Sequence, residues 1–284
     1  MKAPAFDYTK PATLDEVFAL LVAHGDGARL LAGGQTLLAT LNMRLSQPAL
    51  LIDIGGLAAW RGIAVQGNML RIGALTRHVE VEESPLVAQH APLLAQAAPH
   101  IAHRAIRNLG TWGGAIAYAD PAAEWPACLR ALDGVVVARS ATGERRIPAR
   151  EFFVDLYTTA LAEGEIVAAC ELPLHRAGDV VGFDELARRH GDYAIVGLAM
   201  SARRTPEGLR GLRLAFLGVG STPWRAAAVE ALFTERPLTA AHIDEAVAAV
   251  QATIEPLADL TNSAAMKRHL AGVLTRRLLQ QQGL

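Results

Sequence analysis

The chain has 284 residues, 51% of them hydrophobic, and its 27 basic and 28 acidic side chains leave a formal net charge of −1. That length allows two domains with real cores, and the low charge content argues against disorder. The balanced charge excludes the electrostatic footprint of a nucleic-acid or anionic-lipid binder, and two distant cysteines, Cys128 and Cys170, exclude a disulfide framework or an iron–sulfur cluster held by this chain alone.

The N-terminal "MKAPAFDYTKPATLDE" places charge and proline where a signal peptide needs an apolar core. No run reaches the ~20 apolar residues of a membrane span, so a soluble, cytoplasmic protein is expected. Only Lys2, Lys10 and Lys267 are lysines; the arginine excess suits ion pairs and subunit contacts.

"TLDEVFALLVAHGDG" opens on a capping box, Thr13 with Glu16 three residues on. Leu14, Val17, Phe18 and Leu21 then mark one helical face. "ARLLA" (28–32) predicts a short strand, Gly33 and Gly34 a turn, "TLLATLNMRL" a helix and "ALLIDI" (49–54) a second strand. Strand, turn, helix and strand make a βαβ unit with parallel strands.

A second block runs from about Gly56 to Pro173. "NMLRIGA" and "VVVARSATGERRIPA" predict strands, the latter a hairpin around Thr142-Gly143. "SPLVAQHAPLLAQAA" predicts one helix with Ser84 capping and Pro85 at its first position. "DPAAEWPACLRALDG" predicts another, with Asp120 as N-cap, Pro121 first and Gly134 at the end; Pro126 then costs a hydrogen bond inside it. "EIVAACELP" closes the block as a strand.

The third block reads as strands, "DYAIVGLAMSARR" and "LRGLRLAFLGVG", followed by helices from Pro223, from Thr239 and from about Ser263 to Gln281. Strands followed by helices predict a separate α+β domain, with the boundary near "PLHRAGDV" (173–180).

Gly33-Gly34 has two readings. One is a tight turn needing positive φ; the other is a phosphate cradle, where bare backbone lets an anion approach the unpaired N–H groups opening the next helix. A second pair, in "GTWGG" (110–114), shifts the balance, because two glycine turns could grip a diphosphate from both sides. Neither is a dinucleotide fingerprint: G-x-G-x-x-G and GxxxxGK[ST] are both absent.

"AGGQT" (32–36), "HRAIRNLGTWGG" (103–114), "ADPAAEWPA" (119–127), "TALAEGEIV" (159–167), "ARRHGDYAIVG" (187–197) and "GVGSTPWRA" (218–226) resemble, in this order, the FAD-binding medium subunit of molybdenum hydroxylases, the carbon monoxide dehydrogenase and xanthine dehydrogenase family. The resemblance implies an α+β chain. Its FAD-binding domain, of the PCMH (vanillyl-alcohol oxidase-like) type, would span residues 1–175 in two subdomains, 1–55 and 56–175. A C-terminal α+β domain with an antiparallel sheet and helices would follow at 176–284. It also implies a role: a flavoprotein subunit that carries FAD non-covalently, takes electrons from [2Fe–2S] clusters on a small subunit, and passes them to an external acceptor. Molybdopterin would sit on a large subunit, in a dimer of heterotrimers.

Carried over residue by residue, the resemblance implies that Ala32, Gly33, Gly34, Gln35 and Thr36 wrap the FAD diphosphate, with Thr111, Gly113 and Gly114 on its other side. Ile106, Ala117, Asp120 and Leu161 would also line the cofactor, and Tyr193 would shield one face of the ring. Asp120 as an N-cap and Tyr193 as an ordinary strand aromatic are the alternatives. Three positions depart from the pattern: Ala115 stands where Asn or Ser is common, Tyr118 where Asn or His is common, and Trp112 is bulkier than the usual Ile or Leu. No catalytic residue or metal ligand is assigned in this chain. His103 and Arg107 read as loop-stabilising. Arg188, Arg189 and His190 read as a solvated charged face, a contact with acidic groups on a partner subunit, or a stabiliser of reduced, anionic flavin, and Glu124 and Asp133 as surface or cap residues. "GVGSTPWRA" reads as a capped helix start or a third anion site. A self-sufficient flavoenzyme of the wider fold and a non-catalytic nucleotide-binding module are the competing functions.

Overall fold

Two parallel crossovers open the chain in the computed structural model, which describes residues 2–233 and 236–283. Strands β1 (Asp7–Thr9), β2 (Ala28–Leu31) and β3 (Leu50–Asp53) form a sheet in the order β1-β3-β2 with both pairings parallel. Parallel neighbours need a crossover, and helices Leu14–His24 and Leu37–Asn42 supply it. The expected βαβ unit is therefore present, with β1 added to it. The capping box holds as read: Thr13 Oγ1 accepts the Glu16 amide at 3.3 Å, and the Glu16 carboxylate accepts the Thr13 amide at 3.4 Å. Val17 and Phe18 bury that helix's apolar face against β3 and its neighbours.

The next sheet is antiparallel. It draws on β4 (Ile63–Gln66), β5 (Met69–Gly73), β6 (Val135–Ser140) and β7 (Gly143–Pro148). A short hairpin, β8 (Phe153–Asp155) with β9 (Thr158–Thr159), precedes its last member, β10 (Ile166–Pro173). The order is β4-β5-β10-β6-β7. β10 is central because every residue from Ile166 to Leu172 is buried; each fully buried aliphatic side chain there contributes about 1.5–3 kcal/mol.

Two predicted helices differ from expectation, both through proline. The segment 84–98 is two helices, Pro85–His90 and Pro92–Ala97. Pro92 has no N–H and its ring clashes with a preceding turn, so it opens its own helix instead; Ser84 still caps the first, accepting the Val87 amide at 3.3 Å. In the segment 120–134 the helix starts late, at Glu124–Ala131. Asp120 is not its N-cap: its Oδ1 accepts the Ala122 amide at 2.9 Å in a turn of its own. Pro126 thereby falls in the first helical turn, where a missing N–H costs nothing.

The C-terminal sheet runs β11 (Asp179–Ala187), β12 (Ala194–Thr205), β13 (Gly208–Leu217), β14 (Trp224–Arg225), antiparallel throughout. β11 is an addition to the expected strands. Pro223 starts no helix; Trp224 and Arg225 pair with Phe216 and Ala215, and the helix begins at Ala227. Helices Ala240–Thr253 and Ala264–Gln281 cover one sheet face, capped by Thr239 and Ser263. The other face meets the central layer: Phe183 N donates to Gln96 Oε1 at 3.1 Å and Ser201 Oγ to the Ala131 carbonyl at 2.6 Å. Among the described residues no helix is long and apolar enough to cross a membrane.

Candidate functional site

The first glycine loop links β2 to helix Leu37–Asn42. Gly34 has φ +71°, a left-handed conformation that favours glycine. A Cβ on Gly33 would overlap the Leu109 carbonyl oxygen and lie 2.8 Å from Gly110 Cα. The two glycine segments thus touch, backbone to backbone. Gln35 Nε2 donates to the Gly33 carbonyl at 3.1 Å and braces the bend. The amides of Gly33, Gly34, Gln35 and Thr36 have no acceptor among the described residues. The helix that follows has only six residues, so these loop amides, more than a dipole, make the place attractive to an anion.

The second loop is built differently. Helix Arg104–Arg107 leads through Leu109 and Gly110 to helix Trp112–Tyr118. Trp112 N donates to the Thr76 carbonyl and Gly113 N to the Ala74 carbonyl, both at 2.8 Å, and Gly114 N donates to Thr111 Oγ1 at 3.3 Å. The expectation that bare amides grip from both sides is corrected here: this loop's glycine amides are already paired within the protein. Its glycines serve clearance, since a Cβ on Gly113 would lie 2.7 Å from Ala74 Cα and one on Gly114 would lie 2.7 Å from Thr111 Oγ1. A Cβ on Gly110 would meet the His78 ring at 2.7 Å. His78 is buried, accepts the Trp125 indole N–H at 2.9 Å, and is pushed down to about 4 by desolvation and then by Arg107, so it stays neutral. Trp112 is fully buried against Trp125, ring centroids 5.0 Å apart. It points into the core, so its bulk does not disturb the loop's outer side.

Gly114 and Ala117 are exposed on one side of the helix Trp112–Tyr118. Tyr118 follows them and packs on Tyr157 at a centroid distance of 5.0 Å. Tyr157 has φ +51°, and Tyr193 is 67% exposed. Desolvation, then the charge on Asp120, pushes the Tyr193 phenol up to about 12, with Tyr118 and Tyr157 contributing. Three of the chain's four tyrosines therefore gather near Asp120, whose own carboxyl is pushed up by desolvation. Leu161, half-buried just past β9, donates its amide to Thr159 Oγ1 at 3.4 Å, and Ile106 is 36% exposed.

Other predicted positions settle into structural roles. Arg107 is buried; its guanidinium donates to Glu82 at 2.8 Å and to the carbonyls of Ile101 at 3.0 Å and Ala102 at 3.1 Å. Glu124 is buried, not a surface residue, and desolvation followed by repulsion from Glu185 pushes its carboxyl up to about 8. Asp133 takes the expected surface role, pairing with Arg213 at 2.6 Å and Arg225 at 3.2 Å. The GVG turn opens no helix: Gly218 N donates to the Pro121 carbonyl at 2.8 Å, its own carbonyl accepts Lys267 Nζ at 3.0 Å, and the chain runs on into β14.

Residues 4–175 match the family model described as the FAD binding domain in molybdopterin dehydrogenase, and residues 182–282 match the CO dehydrogenase flavoprotein C-terminal domain. The chain is a FAD-binding medium subunit of the molybdenum hydroxylase family. It is 38% identical to subunit alpha of the 6-hydroxypseudooxynicotine dehydrogenase complex of Paenarthrobacter nicotinovorans, over 98% of this chain and 95% of that one. Among solved structures, the carbon monoxide dehydrogenase of Hydrogenophaga pseudoflava aligns with a TM-score of 0.96 at 36% identity, covering 99% of this chain and 98% of that one. Quinoline 2-oxidoreductase of Pseudomonas putida 86 aligns at 0.94 and 32%, covering 99% and 98%. The medium subunit is thus the flavoprotein part of a multi-subunit molybdenum oxidoreductase.

The residues of this medium subunit fit FAD. Four adjacent unpaired amides and no acidic side chain between Ala32 and Thr36 suit a pyrophosphate. Tyr193, 67% exposed, offers flat apolar surface to a ring. His78, Tyr157 and Ala74 escaped the sequence reading: a lone histidine, an ordinary aromatic and an alanine have no pattern, and only the tertiary contact gives them meaning.

Proposed function

We propose that this chain is the electron-transfer subunit of a heterotrimeric molybdenum hydroxylase. It takes electrons from the [2Fe–2S] clusters of a small partner subunit and passes them to an external acceptor. A large partner subunit holds the molybdopterin, and two heterotrimers pair. FAD, bound without a covalent link, supplies the chemistry that joins one-electron donors to a two-electron acceptor. The amides of Gly33, Gly34, Gln35 and Thr36 would hold its pyrophosphate from one side, with Ala32 behind them. Thr111, through its hydroxyl, and the clearance at Gly113 and Gly114 would bound the other side. Ile106, Ala117, Asp120 and Leu161 would line the remainder, and Tyr193 would cover one ring face. In this reading residues 1–55 and 56–175 are the two cofactor-binding subdomains, residues 176–284 carry Tyr193, and the assembly works in the cytoplasm.

The observation that carries this is the run of four unpaired amides pressed against a second glycine loop. Native co-purification tests it: the chain should come out with two partner subunits, and the complex should contain FAD, iron and molybdenum. A yellow protein free of iron and molybdenum would favour a self-sufficient flavoenzyme, and a colourless one that takes up no added FAD would end the proposal.

A further inference from the structure

His190, three residues before Tyr193, faces His103, which lies 87 positions earlier in the chain. The loop 188–193 joins β11 to β12, and its His190 ring lies nearly parallel to His103, centroids 6.1 Å apart and planes 18° apart. Gly191, next in the loop, has φ +86°; a Cβ there would lie 2.7 Å from His103 Nδ1 and 2.8 Å from Nε2. The loop backbone therefore rests directly on the His103 imidazole, at a residue that must be glycine for both its conformation and this contact.

We propose that His103 is a positioning residue: its imidazole is the seat that holds the 188–193 loop, and with it the Tyr193 ring, over the cofactor cleft. This rests on the FAD reading above and adds to it the part that sets the aromatic shield.

His103 is suited to the role because it is exposed yet fixed. It belongs to no core, so packing does not explain it. Its carbonyl accepts the amides of Ile106 at 2.8 Å and Arg107 at 3.1 Å. Ala102 before it adopts φ +44°, a strained conformation for a residue with a side chain. That strain persists because Arg107, paired with Glu82, grips the Ile101 and Ala102 carbonyls. The same segment runs on into the second glycine loop, so cofactor loop and shield are joined through a single ring. Tyr193 itself, 67% exposed, has too little packing of its own to set its place.

Flavin fluorescence of the full chain loaded with FAD tests this, because an adjacent tyrosine quenches an excited flavin by electron transfer and a phenylalanine does not. Tyr193→Phe should raise the fluorescence several-fold. His103→Ala should raise it towards the same level, and His103→Phe, which keeps a flat ring under Gly191, should stay near the unsubstituted chain. Fluorescence unchanged in His103→Ala, or in Tyr193→Phe, overturns the proposal. Should His103→Ala fail to fold, Gly191→Ala attacks the same contact from the loop side and should give the same rise; no rise overturns it. If the chain takes up no FAD, it is the FAD reading that has failed. Amide hydrogen exchange then decides the seat separately: faster exchange at 188–193 in His103→Ala but not in His103→Phe upholds it, and equal exchange in all three overturns it.

Discussion

The two glycine pairs look alike in the sequence and do opposite things. At Gly33-Gly34 the backbone amides are unspent, and the missing side chains let one loop lie against the other. At Gly113-Gly114 the amides are spent on Ala74 and on Thr111, and the missing side chains let a helix start sit on β5's exit. One pair keeps its hydrogen-bonding capacity for something outside the chain; the other has used it to build the wall against which that something would be held. A glycine therefore marks a close approach, and what approaches has to be read from where the neighbouring donors go.

Substitutions can separate the two roles. A large loss of stability is expected at Gly113→Ala, where the new Cβ meets Ala74 main-chain atoms that cannot swing aside. Overpacking of this kind costs about 1–3 kcal/mol or more, so thermal unfolding should come several degrees earlier, while the FAD affinity of the folded fraction stays close to that of the unsubstituted chain. A large loss of affinity with unchanged stability would reverse the assignment.

A second test concerns the buried helix start behind that loop. Glu124, with its carboxyl pushed up from 4.5 to about 8, binds a proton in the folded state that it lacks when unfolded. Its contribution is whole below pH 4.5 and is lost as pH rises towards 8, by roughly 1.4 kcal/mol for each pH unit crossed. Glu124→Gln has nothing to lose there. Its stability advantage over the unsubstituted chain, followed by chemical denaturation, should grow from pH 5 to pH 8 and level off above. A constant difference across that range would show the carboxyl to be ionised and paired.

The clearest effect on binding is expected at Gly33→Ala, whose new Cβ also meets main-chain atoms, those of Leu109 and Gly110. The Leu109 carbonyl must retreat, the loops part, and the amides lose their common direction. FAD titration should show at least about tenfold weaker binding, equivalent to about 1.4 kcal/mol. Equal binding would sink the cradle, and with it the contrast between the loops.

Local chemistry was well legible in the sequence, and tertiary accounting was not. Thr13 with Glu16, Thr239 and Ser263 announced their helix starts because a cap is satisfied within a few residues of itself. Pro92, Pro126 and Pro223 were harder: each allows more than one local solution, and the fold chose by where the next strand or helix had to lie. β11 escaped because "DVVGFDELA" alternates poorly, being half-buried along most of its length. Of the residues expected around the cofactor, those of the first glycine loop touch those of the second, and Asp120 lies near enough to Tyr193 for its charge to act on the phenol. What could not be foreseen is which amides were free, since that depends on carbonyls such as those of Ala74 and Thr76, more than thirty positions away along the chain.

Gly218 joins the far ends of this arrangement. Its N–H reaches Pro121, beside Asp120, and its carbonyl receives the ammonium of Lys267 on the final helix. The start of the last helix is thus wired in two steps to the bend that carries Asp120. A change that shifts the start of the last helix would therefore be felt beside Asp120, so the first turn of that helix is a remote handle on the cleft's surroundings.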